Sequence, residues 1–185
     1  PLKRMDFERY MRDVRAARSQ YQGKIKVLAG VEIDTNPERC DLYELPWDLL
    51  NTLDLVLFEY VEDPLQGGIP LNELRSLSRN LQVPFGLCHW DMDRIYADRD
   101  ATWLADRLND LGAFVEVPTS QHYMRHGRYL FEHSERFYRA FRGRVKVSIG
   151  TDMHHSLREV GNIGRGLRFI RAQDLCGQML YNGRD

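Results

Sequence analysis

The feature that most constrains this chain is a repeated switch between two hydrophobic periods. Runs rich in β-branched residues occur five times, at 24–33, 53–60, 83–89, 112–117 and 144–150. Such short runs are typical of buried strands, whereas the stretches between them place an apolar residue at every third or fourth position, as amphipathic helices do. Because the connections are long enough to contain helices, the pattern predicts an α/β fold with a parallel sheet, either open or closed as a barrel.

The helical periods define where the covering elements should lie. They fall at 4–21, 99–111 and 128–142, with a last helix from Leu157 to Ile170. We expect the first helix to pack on the sheet through Phe7, Met11 and Val14 and to end at Gly23. The loops 61–71 and 118–127 are rich in turn residues and are candidate lids.

Length and composition exclude several classes of protein. The chain has 185 residues, of which 43% are hydrophobic and 29% are charged, so one globular domain over 1–185 is predicted. No apolar run approaches the ~20 residues of a membrane span. The formal net charge of -1 gives no support to a nucleic-acid partner or an anionic membrane surface.

The cysteines indicate the compartment. Cys40, Cys88 and Cys176 are far apart and form no C-x-x-C pair. This fits a reducing environment better than a disulfide framework or a thiolate zinc site. Because the amino-terminal stretch is Arg-rich and has no apolar core, no secretory signal is indicated, and we expect a cytoplasmic protein.

The predicted strands end in ionisable residues. In chain order these are Glu32, Glu59, His89, Glu116, and Asp152 with His154. Ligands of α/β proteins bind at the carboxyl ends of parallel strands, so these side chains should meet at one edge. Each one alone has a simpler explanation as a solvated loop residue or a helix cap. Together they would be unfavourable without a positive charge among them, and they therefore predict a metal site.

The segment Asp152-Met153-His154 is the sharpest local feature. In an extended segment the side chains of Asp152 and His154 point the same way and can bind one ion or a pair of ions. The alternative is that Asp152 caps a helix beginning near Ser156. Imidazole and carboxylate ligands suit Zn, Mn or Fe(II), and Cys88 is either a soft ligand or a small buried strand residue.

Four segments together resemble the PHP family, named for polymerase and histidinol phosphatase. They are GVEID at 30–34, CHWDMDR at 88–94, VEV at 115–117 and SIGTDMHHSLREVGNIG at 148–164. The resemblance implies a distorted seven-stranded, parallel β/α barrel with a di- or trinuclear metal centre that hydrolyses phosphoesters. It also implies that the metal ligands and catalytic residues are Glu32, His89, Asp152 and His154.

The chain departs from the family pattern at three places. Family members open with an HxH strand, whereas this sequence begins at the following helix and has five predicted strands. Val61 stands where a His ligand is expected, with Glu59 as the nearby substitute, and Trp90 replaces a proline. We therefore expect a barrel that is incomplete at its amino terminus and binds one to three ions, with further ligands in a longer polypeptide or with a reduced site.

The activity expected from the resemblance is hydrolysis of a small phosphomonoester, similar to histidinol phosphatase, by metal-activated water. Arg94 follows the proposed ligands and is a candidate phosphate contact. Two alternatives remain open. One is a nucleic-acid-processing subunit, and the other is a non-catalytic scaffold with a degraded metal site.

Overall fold

A computed structural model describes residues 4–154 and 156–181 and contains a five-stranded parallel sheet. The strands of the sheet are β1 (Gly30–Asp34), β2 (Leu55–Glu59), β3 (Phe85–Leu87), β4 (Phe114–Pro118) and β7 (Val147–Gly150). Two further strands, β5 (Met124–Arg125) and β6 (Arg128–Tyr129), form a separate short antiparallel ribbon. The sheet has the order β1-β2-β3-β4-β7, and every neighbouring pair is parallel. The predicted α/β class is confirmed.

Helices connect the strands. They are α1 (Arg4–Gln20), α2 (Trp47–Leu50), α3 (Leu71–Leu77), α4 (Met92–Ile95), α5 (Ala101–Leu111), α6 (Leu130–His133), α7 (Glu135–Ala140) and α8 (Gly164–Ala172). Because the strand order follows the chain and such crossovers are right-handed, the helices share one face of the sheet. In the described part of the chain, no helix is both long and apolar enough to cross a membrane.

The predicted helices differ in how closely their ranges match the helices of the structure. α1 and α5 match within two residues, and α5 ends at Gly112, whose φ of 73° closes the last turn. The predicted helix 128–142 is broken in two at Ser134. Ser134 is fully buried and its hydroxyl accepts the Asp93 N–H at 3.2 Å, so a tertiary contact with α4 marks the break. The last helix begins at Gly164, later than predicted, because residues 157–159 form only a short 3-10 turn.

The predicted apolar stripe of α1 is buried. Phe7 is 4% exposed, and Met11 and Val14 are each 8% exposed, as part of the main hydrophobic cluster. Tyr10 lies beside this stripe and ties the helix to the sheet: its hydroxyl donates to the Gly30 carbonyl at 2.8 Å and accepts the Gly30 N–H at 3.0 Å. α1 is thus held against the beginning of β1.

The two faces of the sheet have different chemistry. Residues paired across parallel strands point to the same side, and the register aligns Ile33, Phe58, Leu87, Val115 and Val147 on the helix face. All of these are buried in the hydrophobic cluster. One residue later, the register pairs Asp34 with Glu59 and Glu116 with Ser148 on the opposite face, and Cys88 directly follows β3 between these pairs. A polar row therefore crosses the sheet near the carboxyl ends of its strands.

The chain returns to the sheet after α8. The Leu180 N–H donates to the Val147 carbonyl at 2.8 Å, beside the edge strand β7. The hydroxyl of Tyr181 donates to the Asp54 carbonyl at 3.2 Å, just before β2. One segment thus contacts the residues beside β7 and the residues before β2, at the amino ends of the strands.

Candidate metal centre

His89 directly follows Cys88 of the polar row. It follows β3 with a φ of 34°, a backbone conformation that costs free energy in a residue with a side chain. The Glu116 carboxylate stabilises this conformation, since its Oε2 accepts the His89 N–H at 3.0 Å. The imidazole is thereby turned onto the polar face, where its side chain is only 4% exposed.

Two carboxylates face the imidazole. Nε2 of His89 lies 2.7 Å from Oε1 of Glu32 and 3.5 Å from Oε2 of Glu59. The Glu32 side chain remains 34% exposed, so the cluster opens to solvent on the β1 side. Candidate ligand atoms of Glu32, Cys88 and His89 all lie within 4.8 Å of one another, a spacing that one metal ion can bridge.

Glu116 occupies space that a glycine provides. An added Cβ at Gly150 would lie 1.7 Å from Oε1 of Glu116, so any side chain on β7 at this position would displace the carboxylate. Glu116 is itself 6% exposed. The buried position of the Glu116 carboxylate on β4 therefore depends on the absence of a side chain at Gly150 on β7.

The charges around His89 favour its cationic form. Burial acts to lower the pKa of His89, but the hydrogen bond and charge of Glu32, with the charge of Glu116, raise it above its usual value. Burial acts in the opposite sense on Glu32, whose pKa is nevertheless lowered by its hydrogen bond and charge interaction with His89. Each partner therefore stabilises the charged form of the other.

The other two carboxylates are harder to ionise. Burial, together with the negative charge of Glu32, raises the pKa of Glu59. Burial raises the pKa of Glu116 to about 7, although the His89 backbone N–H works against it. The cluster therefore places three carboxyl groups around one imidazole, and an added cation would relieve the repulsion between them.

Cys88 lies inside the cluster but is a poor ligand in its resting form. It is 1% exposed, and its thiol donates to the Phe58 carbonyl at 3.4 Å. Burial and the surrounding carboxylates raise the pKa of Cys88 well above its usual value. Since only the thiolate binds metals well, Cys88 fits the role of a small buried strand residue better than that of a ligand.

Asp152 and His154 form a second group after β7. The predicted extended conformation is wrong at Asp152, whose φ is 38°. Nδ1 of His154 lies 3.4 Å from Oδ1 of Asp152 and 3.0 Å from the Asp152 carbonyl oxygen. The capping alternative for Asp152 is wrong, because the 3-10 turn at 157–159 is capped by Ser156, whose hydroxyl accepts the Arg158 N–H. The Asp152 carboxylate instead accepts a hydrogen bond from the hydroxyl of Tyr123.

Tyr123 connects the two groups. Its ring stacks on the His89 imidazole with centroids 4.5 Å apart and planes 5° from parallel, while its hydroxyl donates to Asp152. Burial and the Asp152 carboxylate raise the pKa of Tyr123, so the hydroxyl keeps its proton. Sequence analysis missed this residue. The available signal was an aromatic residue in the 118–127 loop, directly after the strand that contains Glu116.

The structure therefore brings together Glu32, Glu59 and His89, and separately Asp152 and His154, with Tyr123 between them. Arg94, the predicted phosphate contact, is engaged by carboxylates: its Nη2 lies 2.6 Å from Asp63, and its Nε lies 3.3 Å from Asp91. A role in binding phosphate would require these ion pairs to be shared, and it stays a prediction.

Comparisons of the chain with models of known protein families, with curated proteins and with solved structures found no match in any of the three. The fold and the cluster thus stand on their own geometry, and the PHP resemblance stays a prediction from sequence motifs.

Proposed function

We propose that this protein is a metal-dependent hydrolase of phosphoesters, with Glu32, His89 and Glu59 as the core of its metal centre. The observation that carries the proposal is the convergence of Glu32 and Glu59 on the His89 imidazole, at 2.7 Å and 3.5 Å, with buried Glu116 behind it. A donor set of imidazole and carboxylate oxygens suits Zn, Mn or Fe(II).

The second group extends the site. Asp152 and His154 are proposed as further ligands, and Tyr123 sets the position of Asp152 relative to His89 through its stack and its hydrogen bond. When bound, a divalent metal would lower the pKa of a coordinated water toward ~7 and neutralise charge on the phosphoryl group. Glu116 fixes the His89 backbone, so the imidazole is already oriented before a ligand binds.

A small phosphomonoester is the proposed substrate. Glu32 is partly exposed, so the cluster is accessible from solvent, and the net charge of -1 does not favour a polyanionic nucleic acid. Arg94 lies on the turn after His89 and would contact phosphate only by sharing its ion pairs with Asp63 and Asp91.

A barrel-like closure is also part of the proposal. Sequential order of parallel strands is the arrangement of a β/α barrel, and in the described residues β1 and β7 are the two edges of the sheet. Leu180 contacts the edge strand β7, and Tyr181 contacts Asp54 just before β2, the neighbour of β1, so one segment approaches both strands at their amino ends. We infer that the sheet is curved, with the polar row on its concave face.

One observation favours a second candidate, a metal-binding module without catalytic activity. Val61 and Trp90, the two departures from the family motifs, are both buried, and the Trp90 indole N–H donates to the Val61 carbonyl at 2.7 Å. Where a ligand was expected, these residues form a packed contact instead. Fewer ligands would leave one weakly bound ion, which lacks the two-metal clamp on attacking and leaving oxygens.

Metal content and activity together test the proposal. Protein purified without chelator is analysed for metals and assayed for hydrolysis of p-nitrophenyl phosphate with Zn, Mn or Fe(II). We expect bound metal and metal-dependent hydrolysis, both lost in His89→Gln. The matched control is His126→Asn, because His126 is exposed, and asparagine tolerates its φ of 51°.

The outcomes separate the two candidates. Metal that is bound and lost in His89→Gln, without hydrolysis of any phosphomonoester tested, supports the module without activity. A protein that binds no divalent metal, or a His89→Gln variant that keeps full activity, contradicts both.

A further inference from the structure

A cavity of about 580 Å³ lies outside the polar row, between the segment 62–72 and the helices α4 and α5. No residue that lines it belongs to the candidate metal centre. Its walls combine apolar surface with cationic side chains, and the residues used below are Glu62, Pro70, Tyr96, Arg99, Trp103 and Arg107. The volume is in the range of sites for small organic ligands.

Two arginines flank one tryptophan on this wall. The Arg99 guanidinium carbon lies 5.5 Å from the centre of the Trp103 ring, and that of Arg107 lies 5.1 Å from it. Trp103 remains 37% exposed. Stacking on an aromatic ring fixes the plane of a guanidinium group and leaves the N–H groups at its edge available.

These N–H groups are little used by the protein. Arg107 donates one bond, from Nη1 to the Asn72 side-chain oxygen at 3.3 Å. Among the described residues, neither Arg99 nor Arg107 forms an ion pair with a carboxylate. Arg136 shows the contrast: it stacks on Phe137 at 4.2 Å, but its N–H groups are bonded to three backbone carbonyls.

The acid in the wall does not neutralise them. One carboxylate oxygen of Glu62 accepts the Leu71 N–H at 2.9 Å, and the other accepts a hydrogen bond from the Tyr96 hydroxyl. Both oxygens are therefore engaged by other residues of the wall, and the one negative charge of Glu62 stands against the two positive charges of Arg99 and Arg107. The lining keeps an excess of positive charge, which favours an anion.

We propose that this cavity binds an organic phosphate with a planar ring, of the size of a mononucleotide. The arginines present paired donors, which match phosphate oxygens. Pro70 and the exposed part of Trp103 supply apolar surface against which a ring can pack. The site is independent of the proposed hydrolytic function and does not depend on a metal.

Calorimetric titration of the full chain tests the proposal. AMP, adenosine and inorganic phosphate are compared in buffer with chelator, so that metal-dependent binding and hydrolysis are suppressed. We expect AMP to bind about tenfold or more tightly than either adenosine or phosphate. Adenosine lacks the phosphate that the arginines would bind, and inorganic phosphate lacks the ring that would pack on the apolar surface.

Variants locate the binding. Arg107→Gln and Arg99→Gln should each weaken AMP binding by about tenfold, while Arg12→Gln, an exposed arginine on α1, should leave it unchanged. AMP should also change the tryptophan fluorescence in the wild type but not in Trp103→Phe. Thermal melts establish that each variant is folded.

Several results would overturn the proposal. These are no heat with AMP in the millimolar range, equal affinity for AMP and phosphate, or equal affinity in Arg107→Gln and Arg12→Gln. Loss of AMP binding in His89→Gln but not in Arg107→Gln would place the nucleotide at the metal centre instead. Hydrolysis and metal content are not readouts here, so failure of this proposal is distinct from failure of the proposed function.

Discussion

The two faces of the sheet are built from alternate residues of the same strands, and burial has opposite effects on stability at the two faces. On the helix face, Phe58 and Leu87 are 1% and 0% exposed and lie in the hydrophobic cluster. One residue further along each strand, Glu59 and Cys88 lie on the polar face beside His89. Burial on the helix face stabilises the fold, whereas burial on the polar face raises the pKa of carboxylates and so costs stability when they ionise.

The difference shows where stability and function are separated in this protein. Because side chains alternate along a strand, a slip of one residue would exchange the two faces completely. The apolar face therefore fixes the register, and the polar face can tolerate unfavourable charge. The following substitutions test this separation in chelator-treated protein.

The largest effect is expected for Phe58→Ala. Truncating this buried ring should lower the free energy of unfolding by ~3–5 kcal/mol, because apolar contacts are lost and a cavity remains. Its neighbour Glu59→Gln should change stability by less than ~1 kcal/mol, since the amide removes a like charge near Glu32. Urea unfolding at neutral pH measures both. Similar losses in the two variants would mean that the faces are not functionally separate.

The pH dependence of stability should reveal Glu116. Its pKa is raised from 4.5 to about 7, so the folded state binds more protons than the unfolded state between these values. Glu116 therefore contributes to the free energy of unfolding in full below pH 4.5. This contribution, up to ~3 kcal/mol, is lost as the pH rises toward 7.

Glu116→Gln isolates this contribution. The amide oxygen can still accept the His89 N–H, but the group no longer titrates. Urea unfolding across this pH range should therefore show a smaller loss of stability in the variant than in the wild type. Parallel curves for the two proteins would show that Glu116 ionises normally.

Gly150→Ala tests the space reserved for the same carboxylate. The new Cβ would lie 1.7 Å from Oε1 of Glu116, so we expect a loss of ~1–3 kcal/mol from overpacking and reduced metal binding. Gly164→Ala is the control, because the nearest atom there is 3.8 Å away, at the end of the Arg168 side chain. Thermal melts with and without metal compare them, and a harmless Gly150→Ala would show that Glu116 can move.

The smallest effect is expected for Tyr123→Phe. The variant keeps the ring that stacks on His89 and removes only the hydrogen bond to Asp152, so stability should fall by ~1 kcal/mol. Proton NMR should show the His89 ring resonances still shifted by the stacked ring, whereas Tyr123→Leu should lose that shift. If both variants leave the His89 resonances unchanged, the two ligand groups are not connected through this residue.

Much of the fold could be predicted from the sequence because the signals are local. The β-branched runs predict the five strands of the sheet, although β1 begins only at Gly30 and residues 24–29 form no strand. The period of α1 predicts its buried stripe. Strand ends are also predictable from the sequence, which therefore indicates Glu32, Glu59 and His89 as candidate ligands. The break at Ser134 was not predictable, since a contact with α4 marks it.

What the sequence determined by itself is thus the class of fold and the residue types at the carboxyl ends of its strands. Only the tertiary structure decided which of them meet. It placed Tyr123 between His89 and Asp152, engaged Arg94 with Asp63, and made room for Glu116 beside Gly150. The physical reason is that hydrophobic period and turn chemistry act over a few residues, whereas ring stacking, ion pairing and desolvation depend on neighbours that are distant in the chain.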